Sequence, residues 1–120
     1  MPSLREKGCI AEQLAKNHLQ KKGWQILNTN WYYGHLEIDI IARDKDKLVI
    51  VEVKSRNGVR FKNPADAIKN IKIRRIIEAA DAYIMENELD LETRFDLIII
   101  TFFGKDFELE HYKNAFYPTM

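Results

Sequence analysis

The chain has 120 residues, a formal net charge of +1 and one cysteine. This length is typical of one domain, residues 1–120, with its own hydrophobic core. A single cysteine excludes an intramolecular disulfide, and the balanced charge offers no bulk attraction to a partner. No apolar run reaches the length of a signal peptide or a membrane span, so we expect a cytoplasmic protein that does not enter membranes.

The charge is unevenly distributed along the chain. Residues 54–75 carry eight basic side chains and one acid, whereas residues 76–120 carry three basic and ten acidic side chains. Such a basic segment is typical of a localised anion-binding face. A second interpretation stays equally open, in which these cations are solvated and pair with the acidic tail.

The first half of the chain predicts one helix and three strands. Apolar residues recur at three- and four-residue steps from Ser3 to Lys22, with Gly23 as a C-cap. Strands are predicted at residues 24–31, 36–43 and 48–55. The charged turn at residues 44–47 makes the last two an antiparallel hairpin. The third strand is nearly continuous in Val and Ile, which is typical of a strand buried on both faces.

The second half predicts a helix and two strands. The helix is expected to begin after Asn63, with Pro64 at its first position, and to break near Asn70, which could cap a longer helix to about Glu88. Its apolar stripe comprises Ile68, Ile71, Ile76, Ala80, Tyr83 and Ile84. Strands at residues 94–103 and 107–112 follow. The order predicts an α/β fold with a mixed sheet flanked by helices.

Two ionic pairs interrupt the apolar second and third strands. Glu37 and Asp39 are two residues apart, as are Glu52 and Lys54, and side chains at that spacing share a strand face. Folding the hairpin about its turn brings Asp39 close to Glu52, with Lys54 nearby. A buried charge is costly unless it is paired or binds a metal.

Two neighbouring carboxylates repel each other, and a divalent cation removes the conflict. Mg²⁺ or Mn²⁺ suits one or two carboxylates with waters and phosphate oxygens, so Asp39, Glu52 and the carbonyl of Val53 are expected ligands. Lys54 would orient or activate the attacking water, or neutralise charge at phosphorus, as metal-assisted phosphodiester hydrolysis requires. On spacing alone, a plain Glu52–Lys54 ion pair with solvent-facing acids in the second strand is an equal alternative.

The residues resemble a known pattern. Asp39 followed by Glu52-Val53-Lys54 matches the D…(D/E)-x-K pattern of the PD-(D/E)XK nuclease superfamily, which includes restriction endonucleases and Holliday-junction resolvases. More closely, nearly the whole chain resembles the YraN-type uncharacterised family of small bacterial proteins. The segments that carry this resemblance include Glu37-Ile38-Asp39-Ile40-Ile41-Ala42, Val51-Glu52-Val53-Lys54-Ser55-Arg56, Arg94-Phe95-Asp96 and Asn114-Ala115-Phe116.

The resemblance implies a restriction-endonuclease-like αβββαβ core and a set of site residues. Asp39 and Glu52 would be metal ligands and Lys54 the catalytic lysine. Glu12, in the first helix, matches an extra acid that many resolvase-like members direct at the metal, although a solvated glutamate is an even alternative. Glu37 would support the ligands or bind a second metal. Ile73 stands where the family often has Gln, which loses a contact to water or phosphate.

The resemblance also gives the basic segment a partner, the backbone of a nucleic acid, DNA above all, bound without reading its sequence. The residues expected to contribute are Arg56, Arg60, Lys62, Lys69, Lys72, Arg74 and Arg75. Tyr32 and Tyr33 are candidates for stacking on an unpaired base. Trp31 is a third candidate, although packing in the core or the hairpin is the favoured interpretation for it.

Other side chains receive plainer interpretations. His18, His35 and His111 are scattered along the chain, and no pair has zinc-ligand spacing. Cys9 is expected to be a small core residue or an unreactive thiol. A homodimer is a further expectation, since many nucleases of the superfamily act as dimers. An apolar patch for it could come from Phe102, Phe103, Phe116 and Tyr117.

The sequence therefore predicts a Mg²⁺-dependent DNA endonuclease, with branched or structured DNA among its candidate substrates. One alternative is a module that binds nucleic acid without cutting it, which DNA binding without turnover would favour. The other is an interaction protein of a DNA repair, recombination or uptake complex, with the acidic tail docking a basic partner. The absence of salt-dependent DNA binding would favour that alternative.

Overall fold

The structure, a computed structural model, describes residues 3–58 and 67–116. Its elements are α1 (Leu4–Lys21), β1 (Gln25–Tyr33), β2 (Leu36–Asp44), β3 (Lys47–Asn57), α2 (Asn70–Glu86), β4 (Glu92–Phe103) and β5 (Asp106–Phe116). The strands form one sheet in the order β1-β2-β3-β4-β5. β3 and β4 are parallel and the other neighbours are antiparallel. The predicted α/β fold, with its αβββαβ order and mixed sheet, is confirmed.

Both ends of α1 are fixed by local hydrogen bonds. The hydroxyl of Ser3 accepts the backbone N–H of Glu6 at 3.2 Å. At the other end the C-cap is Lys22, one residue before the predicted Gly23, and Gly23 has a φ of +86°, a conformation that glycine adopts without steric cost. This lets the N–H of Trp24 donate back to the carbonyl of Leu19 at 3.1 Å, which closes the helix. The predicted helix is confirmed to within one residue at each end.

The two helices cover opposite faces of the sheet. α1 packs on one face through Ala11, Ala15 and Leu19, and α2 on the other through Ile76, Ala79, Ala80 and Tyr83. Alternate residues of β3 pack on the two faces of the sheet. Leu48 and Ile50 face α2, and Val49 and Val51 face α1. The prediction that this strand is buried on both faces is confirmed. No helix among the described residues is both long and apolar enough to cross a membrane.

The second helix differs from the prediction at its start. It begins at Asn70, and the N-cap is Lys69, so the expectation that Asn70 caps the helix is wrong by one residue. The expected first turn after Asn63 falls on residues 59–66, outside the described residues. Ile71 is 57% exposed, so its place on the apolar stripe is also wrong. It precedes the buried Ile76 by five residues, which turns it about 140° around the helix axis.

A buried acid ties the start of β4 to β5. Asp96 is fully buried and accepts hydrogen bonds from Arg94 Nε at 2.8 Å, His111 Nε2 at 2.8 Å and the N–H of Asn114 at 3.1 Å. Burial alone would raise the pKa of Asp96, but these bonds, led by that of His111, hold it below its usual value. His111 Nδ1 also lies 3.2 Å from His18 Nε2. Two histidines that are scattered in the sequence therefore meet in the fold.

Two expectations about single side chains need correction. Phe116 is buried, and its ring packs against Phe95 with 5.3 Å between centroids, so it cannot join a surface patch. Phe103 is exposed, and Tyr117 lies outside the described residues. Cys9 is exposed rather than part of the core, and it lines a pocket between α1 and the sheet.

Candidate active site

The β2–β3 hairpin separates at its open end. Its residue pairs run from Asp44–Lys47 beside the turn to Ile40–Val51. Beyond this pair, a side chain replaces the backbone as the hydrogen-bond partner across the hairpin. Oδ2 of Asp39 accepts the N–H of Val53 at 2.8 Å. β2 continues beside β1, and β3 continues beside β4. The carboxylate of Asp39 therefore lies where two paired strands part.

Two nearly buried acids meet at this point. Asp39 is 7% exposed and Glu52 is 2% exposed. Burial, and then the charge of Glu52, raise the pKa of Asp39 to about 8, although the N–H of Val53 acts in the opposite direction. Without a cation, Asp39 therefore holds its proton at neutral pH. A cation bound beside both carboxyl groups would displace that proton.

Two lysines supply positive charge to the same place. Nζ of Lys72, on the first turn of α2, lies 2.6 Å from Oε1 of Glu52. Burial would lower the pKa of Lys72, but the hydrogen bond and charge of Glu52 outweigh it and raise the pKa. For Lys54, burial and then the neighbouring charge of Lys72 lower the pKa. Of the two, Lys54 is therefore the lysine better suited to proton transfer.

A third acid is held at the site by an asparagine. Nδ2 of Asn30 donates to Oε2 of Glu12 at 3.0 Å and to Oε2 of Glu37 at 3.2 Å. Glu12, Asn30 and Asp39 line one pocket of about 240 Å³ between α1 and the sheet. Glu12 thus faces the site rather than open solvent, and its charge contributes to the raised pKa of Asp39. Asn30 therefore holds Glu12 and Glu37 in position near Asp39.

The backbone at Asn30 is unusual. Its φ is +48°, in the left-handed region that non-glycine residues seldom adopt, although asparagine tolerates it better than most. Such conformations cluster at functional sites. Neither this bend nor the double hydrogen bond is visible in the sequence, so Asn30 was not predicted as a site residue. Residue type gave a weak signal, since an asparagine is uncommon inside a strand.

The oxygen donors suit a hard divalent cation. Carboxylates and backbone carbonyls are the ligands that Mg²⁺ prefers, and burial together with the charge of Glu52 raises the pKa of Asp39, an effect that a bound cation would offset. Within residues 3–58 and 67–116, no three His, Cys, Asp or Glu side chains already stand together as a metal-binding group. Asp39 and Glu52 would therefore need water, substrate oxygens or a rotation of Glu12 to complete the coordination.

The basic segment does not form one surface. Lys72 and Arg75, at the start of α2, line a cleft beside the site, and Lys69 and Arg74 are exposed on the same part of the chain. Arg56 is instead half-buried, and its guanidinium pairs with Glu110 at 3.2 Å and donates to Oγ1 of Thr101 at 2.9 Å. Arg60 and Lys62 lie outside the described residues. Among the described residues of this segment, the cations that remain for the expected nucleic-acid contacts are therefore those at the start of α2 and its N-cap.

Aromatic side chains stand beside the site at the β1–β2 turn. Tyr32 is 62% exposed and Tyr33 is 48% exposed. The hydroxyl of Tyr32 bonds Glu37, and this bond raises the pKa of Tyr32. Trp31 packs edge-on against Tyr83 with 5.1 Å between ring centroids, which confirms its predicted place in the core. Tyr32 and Tyr33 remain available to a ligand at the surface.

The fold and this acid–lysine cluster define a small α/β domain with one polar site at the split end of a hairpin. The chain belongs to the uncharacterised protein family UPF0102, whose profile matches residues 11–100. This confirms the family membership predicted from the sequence. The matched range includes every side chain of the candidate site.

Similar proteins match over almost their whole length. The chain is 46% identical over 110 residues to the UPF0102 protein FP2501 of Flavobacterium psychrophilum, with 92% of each chain covered. It is 42% identical to a UPF0102 protein of Phocaeicola vulgatus, with 98% of each covered. It is 39% identical to one of Bacteroides thetaiotaomicron, across 100% of this chain and 99% of that one.

Proposed function

We propose that this protein is a divalent-cation-dependent DNA endonuclease of the PD-(D/E)XK superfamily. The observation that carries the proposal is the placement of Asp39 and Glu52, both nearly buried, beside Lys54 where β2 and β3 separate. One buried carboxyl group that must hold a proton and a second that needs Lys72 as its counter-charge both cost stability, so packing gives no reason for placing them together. Binding of a cation and of a phosphate gives one.

Each residue of the site has a role in this proposal. Asp39, Glu52 and the carbonyl of Val53 would hold Mg²⁺ or Mn²⁺, with Glu12 as a further ligand. When bound, the cation supplies positive charge that draws the phosphate oxygens and stabilises charge developing at phosphorus. Nζ of Lys54 takes a proton from the attacking water or, when protonated, offsets that developing charge.

The DNA backbone would be held by α2. Lys69, Arg74 and Arg75 are exposed on this helix, which begins next to the site. Their charges attract phosphates without reading bases, so affinity should fall steeply with salt. Arg56 is left out of this surface, because Glu110 and Thr101 already hold its guanidinium.

A second candidate function is a DNA-binding module that does not cut. The contact between Lys72 and Glu52 favours it, because an ammonium at 2.6 Å neutralises the buried carboxylate without a metal. The same cations of α2 would then bind DNA, while Asp39 stays protonated. Ile73, at a position where the family resemblance implies glutamine, fits this candidate too.

Cleavage assays separate the two functions. Labelled duplex, single-stranded, flap and four-way-junction DNAs are incubated with the protein in Mg²⁺ or Mn²⁺, with EDTA as a blank. We expect cleavage that needs the cation and is lost in Asp39→Ala. Asp46→Ala is the matched control, since Asp46 is an exposed acid in the turn of the same hairpin. Salt-dependent binding with no cleavage of any DNA would establish the binding module instead.

A further inference from the structure

A cleft of about 500 Å³ opens beside the candidate site, between the start of β2 and the first two turns of α2. It is lined by His35, Leu36, Glu37, Lys72, Arg75 and Ile76. It lies on the α2 face of the sheet, whereas the pocket that contains Glu12 lies on the α1 face. The sequence did not predict this cleft, because its two walls are more than 30 residues apart in the chain.

The walls combine three kinds of chemistry. Leu36 and Ile76 provide an apolar floor, and Lys72 and Arg75 add positive charge. His35 and Glu37 offer hydrogen-bonding groups. A nucleotide has a flat apolar face, a polar base edge and an anionic phosphate, which these three groups match. The volume falls within the range of sites for small ligands, roughly 300–1,000 Å³.

The cleft is continuous with the candidate active site. Lys72 lines the cleft and also contacts Oε1 of Glu52. Glu37 lines it and shares Asn30 with Glu12. A nucleotide in the cleft would therefore lie next to a phosphate held at the acids.

Exposed side chains lie close in the chain to the residues that line the cleft. Tyr32 and Tyr33 stand at the β1–β2 turn, directly before His35 and Leu36. On the opposite wall, Ile71 is 57% exposed and lies one helical turn before Arg75, on the same side of α2. Aromatic and aliphatic groups of this kind stack on or cover a base that has left its neighbours.

We propose that this cleft binds an unpaired nucleotide adjacent to the phosphate that is cut, so that the substrate class is DNA with unpaired or branched segments. The inference rests on the proposed nuclease function. A base within a duplex is stacked on both sides and cannot enter a lateral cleft without leaving the stack, which costs a few kcal/mol. Single strands, flaps and junctions avoid much of that cost.

The test measures binding rather than cleavage. Oligonucleotides that carry 2-aminopurine, either unpaired in a flap or within a blunt duplex, are titrated with the protein in EDTA, and fluorescence and anisotropy are recorded. We expect the flap to bind at least about tenfold more tightly than the duplex, with quenching of 2-aminopurine only where it is unpaired. Equal affinities, or unchanged fluorescence in the flap, would overturn the inference.

Three variants locate the effect. Arg75→Gln and Leu36→Glu should each bring the affinity ratio of flap to duplex close to one. Arg74→Gln, which removes the neighbouring exposed cation, should weaken both affinities together and leave the ratio unchanged. Circular dichroism establishes that each variant is folded, and Arg75→Gln alone decides the case if Leu36→Glu does not fold. A ratio that stays at its wild-type value in Arg75→Gln would contradict the assignment.

The outcomes separate this inference from the nuclease proposal. Equal cleavage of duplex and flap in Mn²⁺ would support the nuclease proposal and contradict nucleotide binding in the cleft. A flap preference by wild type that is lost in Arg75→Gln, without cleavage in any cation, would support nucleotide binding in the cleft and remove the nuclease. If the protein binds none of these DNAs, both the nuclease proposal and nucleotide binding in the cleft are contradicted.

Discussion

Lys72 contacts the buried carboxylate of Glu52 at 2.6 Å, although 20 residues separate them in the chain. The ion pair links the first turn of α2 to the end of the hairpin. It also places a cation beside one of the two acids expected to hold a metal. Without metal, this ammonium provides the counter-charge that a buried carboxylate requires. A metal bound at this acid would therefore compete with the lysine for the same oxygen.

Removing the ammonium group of Lys72 should raise the affinity of the site for a divalent metal. We expect Lys72→Gln to bind Mn²⁺ several-fold more tightly than wild type in calorimetric titrations, because Glu52 no longer has a competing partner. The metal-free variant should lose about 1–3 kcal/mol in its free energy of unfolding by urea, since the carboxylate is left unpaired. Lys69→Gln, a change at an exposed residue of the same helix start, should alter neither. Weaker Mn²⁺ binding by Lys72→Gln would mean that the lysine supports the metal site.

The raised pKa of Asp39 makes stability depend on pH. Its pKa is about 8 in the fold and near 3.8 in the unfolded chain, so the folded protein holds a proton that the unfolded chain releases. The metal-free protein should therefore lose stability as the pH rises from about 4 to about 8, by on the order of 2–5 kcal/mol. Urea unfolding at a series of pH values measures this loss. Asp39→Asn should flatten the profile, and an identical profile in that variant would exclude Asp39 as its source.

The same proton should be linked to metal binding. Below about pH 8 the metal must displace it, so the affinity for Mn²⁺ should rise by up to about tenfold per pH unit and level off above that pH. Titrations between pH 6 and pH 9 measure the slope. An affinity independent of pH over this range would show that binding does not require ionisation of Asp39.

Asn30 should act on the acids rather than on DNA. Replacing it with glycine removes both hydrogen bonds, and glycine adopts the φ of +48° without strain. We expect Asn30→Gly to weaken Mn²⁺ binding and to slow cleavage by about tenfold, with unfolding free energy changed by less than about 1 kcal/mol. Asn28→Gly, which replaces another asparagine of β1, should leave the Mn²⁺ affinity unaltered. A normal Mn²⁺ affinity in Asn30→Gly would remove its positioning role.

Asp96 is a buried acid with a different purpose. Arg94, His111 and the N–H of Asn114 satisfy its oxygens, so it has no need of a metal. We expect Asp96→Asn to lower the free energy of unfolding by about 2–4 kcal/mol, because Arg94 loses its buried partner. Asp106→Asn, at the exposed first residue of β5, should have little effect. Mn²⁺ affinity should be unchanged in both, and a loss in Asp96→Asn alone would extend the metal site to β4.

Short-range patterns in the sequence were sufficient for most of the fold. Helix α1 follows from its apolar spacing and from Ser3 and Gly23 at its ends. The hairpin follows from the charged turn, and the proximity of Asp39 to Glu52 follows from folding that hairpin about it. Each of these depends on residues close together in the chain, where periodicity and turn chemistry act directly.

Features that depend on distant contacts were not predicted. Lys72 was expected to meet DNA, yet it reaches Glu52 because the crossover places α2 over the end of β3. His18 and His111 meet only because β5 returns beside β4, next to the end of α1. Asn30 adopts a backbone conformation that no strand pattern implies. Such contacts arise from the tertiary arrangement, which local propensities do not contain.

The most direct test compares Asp39→Asn, Glu52→Gln and Lys54→Gln with wild type in single-turnover cleavage of a labelled flap DNA, alongside Mn²⁺ titration of each protein. The account predicts that all three lose at least about 100-fold in rate. Only the two carboxylate variants should also lose Mn²⁺ binding, while Lys54→Gln binds the ion normally. Cleavage that persists at the wild-type rate in Asp39→Asn and Glu52→Gln would show that these acids do not form the active site.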